Sequence, residues 1–130
     1  PYEESKEVSD ICYKYDVDLI SMIAPTSKER TLEIAAQAKG FIYLVSSMGV
    51  TGMRSNIVTD IEGIVESIKT VTDTPVAVGF GINSPAQVKH FGNIADGVIV
   101  GSAIVNLIKE HGDRAHQPLF NYIQTLIKEL

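Results

Sequence analysis

The sequence predicts an α/β protein with a parallel sheet covered by helices. Three observations carry that expectation. Four short runs are largely apolar at consecutive positions: residues 19–23, 41–46, 75–79 and 96–101. Strands buried on both faces read this way. The segments between them space their apolar residues as helices do, so strand and helix alternate along the chain. The strand-like runs also leave into glycine-bearing loops, Gly49 to Gly52, Gly79 to Gly81, and Gly101 with Ser102.

Taken in order, Val8, Ile11, Cys12 and Tyr15 recur at helical spacing and predict an amphipathic helix over residues 3–14. A short strand over 19–23 follows. Thr26 with Glu29 forms a candidate capping box for a helix carrying Leu32, Ala35 and Ala36 and ending before Gly40. Residues 41–46 are the second strand. Thr59 or Asp60 caps a helix whose inner stripe is Ile61, Ile64, Val65 and Ile68. Residues 75–79 are the third strand, and Ser84-Pro85-Ala86-Gln87 is a strong helix start, with a capping hydroxyl, proline at the first helical position and glutamine three residues past the cap. Residues 96–101 are the fourth strand, 102–109 a short helix broken at Gly112, and Leu119, Tyr122, Ile123, Leu126 and Leu130 mark the apolar face of the last helix.

Two architectures use this pattern, an open doubly wound sheet and a closed barrel of eight strands. Four strands make half a barrel. The chain has 130 residues with no low-complexity segment, so residues 1–130 read as a single, partial domain. It begins at Pro1 and runs at once into Glu3, Glu4 and Ser5, as the loop after a strand does, which suggests a piece of a longer protein.

Composition narrows the function classes. The net charge of -5 without any basic block argues against nucleic acid or a polybasic membrane anchor. No apolar stretch approaches the ~18 residues of a membrane span, and no secretory signal is visible. Cys12 is the sole cysteine, which excludes an internal disulfide and fits a reducing, cytoplasmic setting. His90, His111 and His116 lack metal-ligand spacing and read as surface residues; Cys12 reads as a packing residue of the first helix. Asp18, Asp96, Glu62 and Glu66 read as flanking or solvated carboxylates rather than acid-base groups.

In a parallel α/β fold the strand-to-helix loops open on one face, where helix N-termini hold anions. Glycine there lets backbone approach an oxygen closely. Gly52, Gly81, Gly101 and Ser102 therefore predict one shared site for a phosphate.

Three segments make a more specific resemblance: Tyr43-Leu44-Val45-Ser46 through Gly49-Val50-Thr51-Gly52, then Gly79-Phe80-Gly81-Ile82 with Ser84-Pro85, then Ala95-Asp96-Gly97-Val98-Ile99-Val100-Gly101-Ser102-Ala103-Ile104-Val105. In this order they resemble the tryptophan synthase alpha subunits, over nearly the whole chain. The resemblance implies a TIM-type (β/α)8 barrel, with this chain supplying about four βα units of its second half. It implies cleavage of indole-3-glycerol phosphate to indole and glyceraldehyde 3-phosphate, the indole passing to a beta subunit that holds pyridoxal phosphate; no cofactor is expected in this chain. Gly52, Gly81, Gly101 and Ser102 would hold the substrate phosphate, Ile23, Tyr43, Phe80 and Ile99 would line the indole pocket, and Thr51 would belong to a mobile loop. The family's catalytic glutamate and aspartate fall in the first half of its barrel and have no counterpart here. Two alternatives stay open on sequence alone: half of another sugar-phosphate isomerase or cyclase barrel, or a non-catalytic binding or docking module.

Overall fold

The computed structural model describes residues 2–25, 27–46 and 60–130. Helix α1 (Tyr2–Lys14) leads into strand β1 (Ser21–Ile23), then helix α2 (Lys28–Ala35) and strand β2 (Ile42–Val45). Helix α3 (Ile61–Lys69), strand β3 (Val76–Gly79), helix α4 (Pro85–Gly92) and strand β4 (Gly97–Ile99) continue the alternation. Helix α5 (Ser102–His111), a 3-10 turn (Gly112–Arg114) and helix α6 (His116–Ile127) close it.

The four strands are all parallel and lie in the order β1-β2-β3-β4. A doubly wound sheet reverses its strand order at a switch point. No reversal occurs here, so the arrangement is that of consecutive barrel units, and right-handed crossovers place the connecting helices on one face. Strands β1 and β4 form the two edges.

Register separates the faces. Ser21, Ile42 and Val76 pair across the sheet, as do Ile23, Leu44, Val78 and Val98, and these rows point to the helices. Ile42, Leu44, Val76 and Val78 are fully buried there with Ala35 of α2, Val65 and Ile68 of α3, and Val88 and Phe91 of α4. Burying each of these larger apolar side chains contributes roughly 1.5–3 kcal/mol. The alternate rows, Met22-Tyr43-Ala77-Gly97 and Val45-Gly79-Ile99, occupy the opposite face.

Local signals explain most boundaries. Asp60 caps α3, accepting from Gly63 N–H at 2.9 Å, and Ile61, Val65 and Ile68 form its buried stripe. Both halves of the capping box at α4 are present, Ser84 Oγ accepting from Gln87 N–H and Gln87 Oε1 from Ser84 N–H. Other boundaries correct the sequence reading. The N-cap of α2 is Ser27, which makes no side-chain capping bond, in place of the predicted Thr26 and Glu29 box; Thr26 lies outside the described residues. Strand β1 is shorter than predicted because Leu19 and Ile20 remain exposed and unpaired in the sheet. The predicted inner stripe of α1 is not covered: Val8, Ile11 and Tyr15 are exposed and Cys12 is half-buried. Past the end of helix α1, the φ of 55° at Asp16 turns the chain so that Val17 N–H donates to Cys12 C=O and Asp16 N–H to Tyr13 C=O. This is a Schellman ending without glycine.

Asp96, expected as an incidental residue at the start of the fourth strand, ties the sheet to α3. Its Oδ2 accepts from Lys69 Nζ at 2.6 Å and from Val76 N–H at 2.7 Å, while its own N–H donates to Val76 C=O. The Lys69 bond first, then the Val76 bond, hold its carboxyl below the ordinary range.

Candidate functional site

At the carboxyl ends of the strands a cavity of about 320 Å³ is lined by Tyr43, Phe80, Gly81, Ile99, Gly101 and Ser102. Each strand exit contributes for a local reason. Tyr43 stands on the uncovered face of β2, and its ring lies across β3 where Gly79 has no side chain. A Cβ at Gly79 would stand 2.5 Å from Tyr43 Oη and 3.0 Å from Ile99 Cβ. Glycine at this position is thus the condition for the ring's seat. Beyond β3, Phe80 (φ 97°) and Gly81 (φ 75°) both take left-handed backbone, a conformation rare for any side-chain-bearing residue. The turn leaves the Phe80 ring 52% exposed at the cavity.

Gly101 presents the opposite case from Gly79. Its φ is -116°, and a Cβ built on it meets nothing within 4 Å. Neither packing nor dihedral demands glycine there, and what the missing side chain leaves is open space beside the cavity. Gly101 is the N-cap of α5 and supplies no side-chain bond to that helix's first N–H groups. The N-terminus of α4, by contrast, is satisfied internally, since Gln87 Oε1 accepts from both Asn83 and Ser84 N–H. The helix end that opens on the cavity thus has no side-chain cap from its own N-cap residue, unlike that of α4. Its first N–H groups, without a partner among the described residues, and its positive dipole end suit an anion, with the Ser102 hydroxyl alongside.

The cavity has one aromatic and aliphatic wall, Tyr43, Phe80 and Ile99, and one backbone donor edge, Gly81 through Ser102. Among the described residues the Tyr43 hydroxyl has no hydrogen-bond partner, and no carboxylate, histidine or lysine lines the cavity. Such a site can grip a flat apolar group joined to an anion; among the described residues it presents hydroxyls but no carboxylate, histidine or lysine for moving protons.

Six of the residues expected from sequence thus meet in one place. Ile23 does not. Register sets it beside Leu44 and Val78 in the helix-covered row at 1% exposure, so its side chain is core. A strand apolar on both faces gives no period from which that side could be read. Gly52 and Thr51 lie outside the described residues. Sequence reasoning missed Ser46 and Gly79. Ser46 is fully buried, with its hydroxyl 2.9 Å from Phe80 C=O and 3.1 Å from Gly79 C=O.

Consecutive parallel βα units with a donor-edged, aromatic-walled cavity at the strand ends define an α/β protein of the barrel class. The family model for the tryptophan synthase alpha chain matches residues 1–129, and the chain belongs to that family. It is 53% identical over 112 residues to the tryptophan synthase alpha chain of Lactiplantibacillus plantarum, covering 85% of this chain and 42% of that protein. It is 47% identical over 114 residues to that of Bacillus pumilus, covering 88% and 43%. Among solved structures, the tryptophan synthase a2b2 complex of the hyperthermophile Pyrococcus furiosus superposes with a TM-score of 0.80 at 32% identity, covering 98% of this chain and 52% of that one. The chain spans about half the length of the relatives it matches.

Proposed function

We propose that this chain is the substrate-gripping portion of a carbon-carbon lyase that cleaves indole-3-glycerol phosphate into indole and glyceraldehyde 3-phosphate. The observation that carries the proposal is the pairing, in one cavity, of a helix N-terminus without a side-chain cap from its N-cap residue, a sterically unneeded glycine, with a wall of two aromatic rings. In this reading the N–H groups around Gly81, Gly101 and Ser102, with Gly52, hold the phosphate. Tyr43, Phe80 and Ile99 pack against the indole, and Thr51 belongs to the loop that closes the site.

Breaking the bond between the indole ring and the glycerol side chain requires a proton delivered to the ring carbon and one removed from the adjacent hydroxyl. Among the described residues no carboxylate, histidine or lysine lines the cavity to do either, and the chain's role in this reading is to bind and orient. The acid and base are assigned to the part of the longer relatives that this chain does not match. No cofactor is assigned to this chain; pyridoxal phosphate chemistry belongs to a beta subunit, the proposed partner, and the proposed setting is the cytoplasm. No helix among the described residues is long and apolar enough to cross a membrane.

Amide mapping by NMR tests this assignment. Glycerol 3-phosphate is expected to shift the amides of Gly81, Gly101 and Ser102, and indole the ring signals of Tyr43 and Phe80. Shifts gathered elsewhere, on the groove of about 850 Å³ between α1, β1 and α2, for example, refute the site.

A further inference from the structure

Among the described residues only Asp16 and Phe80 carry a side chain at positive φ. Asp16 ends a helix, a place where short polar residues tolerate that backbone. Phe80, at φ 97°, is a large aromatic residue with no such excuse, and a backbone this disfavoured persists only when its surroundings hold it.

The holder is one residue, whose hydroxyl alone reaches the Phe80 carbonyl. Ser46 follows β2 and is fully buried. Its N–H donates to Gly79 C=O at 2.8 Å, and its hydroxyl lies 3.1 Å from that same oxygen and 2.9 Å from Phe80 C=O. These carbonyls belong to the two peptide planes that flank the Phe80 Cα. Each plane is rigid, so gripping both oxygens sets both Phe80 dihedrals. The consequence is the placement of the ring at the cavity mouth, beside Tyr43 and Ile99 and away from the core occupied by Val78 and Ile82.

We infer that Ser46 is a positioning residue: by fixing the peptide planes on either side of Phe80 it holds the aromatic wall of the cavity in place and so sets the fit for a flat aromatic group. Ser46 does not line the cavity and acts through Phe80 alone. The aromatic nature of the ligand rests on the function proposed above; the grip on Phe80 does not.

Four proteins decide it: the unaltered chain, Ser46→Ala, Phe80→Gly and the double variant. Glycine takes positive φ freely, so a holder is needed only while phenylalanine is present. Ser46→Ala is expected to raise the unfolding equilibrium constant about tenfold in the unaltered background and at most about threefold in the Phe80→Gly background. In the single variant, the backbone coupling and carbon shifts of residue 80 are expected to move from left-handed toward extended values. Indole affinity falls about tenfold, while glycerol 3-phosphate affinity stays within about twofold, because the α5 N-terminus is untouched. Equal losses in both backgrounds, or unchanged signals at residue 80, overturn the inference. If Ser46→Ala fails to fold, recovery of folding in the double variant supports it, and failure there too overturns it. A chain that binds no indole at all removes the proposed ligand but leaves the residue 80 signals and the four-protein comparison to judge Ser46.

Discussion

Replacing Gly101 separates a glycine kept for the fold from one kept for a ligand. A Cβ there has no neighbour within 4 Å and φ is -116°, so Gly101→Ala brings no clash and no positive-φ strain. Less freedom in the unfolded chain favours the variant by about 0.4–1 kcal/mol, and its melting temperature should match or exceed that of the unaltered chain. The same Cβ occupies the approach to the α5 N-terminus. An anion pushed off that end loses at least one charge-assisted hydrogen bond, ~1.5–3 kcal/mol, and part of the dipole interaction, ~0.3–1 kcal/mol. Gly101→Val should therefore weaken glycerol 3-phosphate binding by roughly 2–4 kcal/mol, about thirtyfold or more. Ser102→Ala keeps the backbone N–H and loses one hydroxyl bond, about 1 kcal/mol or roughly fivefold. Calorimetric titration of the three variants, with thermal melts alongside, measures both quantities. Equal affinities, a worse serine variant, or a Gly101→Ala protein that melts well below the unaltered chain each refute the backbone-cradle reasoning.

Gly79→Ala should behave oppositely: its Cβ falls 2.5 Å from Tyr43 Oη and 3.0 Å from Ile99 Cβ, so a loss of about 1–3 kcal/mol in denaturant melts is expected together with weaker indole binding, and unchanged stability would contradict the seat described for Tyr43. The Asp96 carboxyl is held below its ordinary value of 3.8, chiefly by Lys69. Its contribution is thus complete above that pH and lost as pH falls through the lower folded value. Asp96→Asn should be less stable than the unaltered chain at neutral pH, with the gap closing below about pH 4; a gap that persists in acid shows that titration of Asp96 is not the cause. The unpaired edges β1 and β4 should promote association, and sedimentation of a strictly monomeric species at high concentration would argue otherwise.

Much of the architecture was legible where chemistry is local. Ser84, Pro85 and Gln87 announce a helix start because capping needs residues only three apart. Gly81 and Gly101 mark strand exits because backbone freedom and close approach favour glycine. What stayed hidden depends on partners far along the chain. Asp96 looks idle until Lys69 and Val76 are brought to it across the sheet. Ser46 is an unremarkable serine until Phe80 turns to positive φ beside it. The α1 ending was invisible because Asp16 does what glycine usually does. Ile23 was misplaced for a different reason: with both neighbours apolar, only register with Leu44 reveals its side. Leu19 and Ile20, apolar yet exposed, show that hydrophobic runs overstate strand length where covering structure is lacking.

The central claim is that this chain grips the substrate and leaves proton transfer to residues it does not carry. Its most direct test is indole release from indole-3-glycerol phosphate by the purified chain, alone and mixed with the complementary first part of a tryptophan synthase alpha chain relative. The account predicts no turnover above the buffer control from the chain alone, turnover from the mixture, and loss of that turnover when the mixture carries Gly101→Val. Turnover by the chain alone, or a mixture indifferent to Gly101→Val, would contradict it.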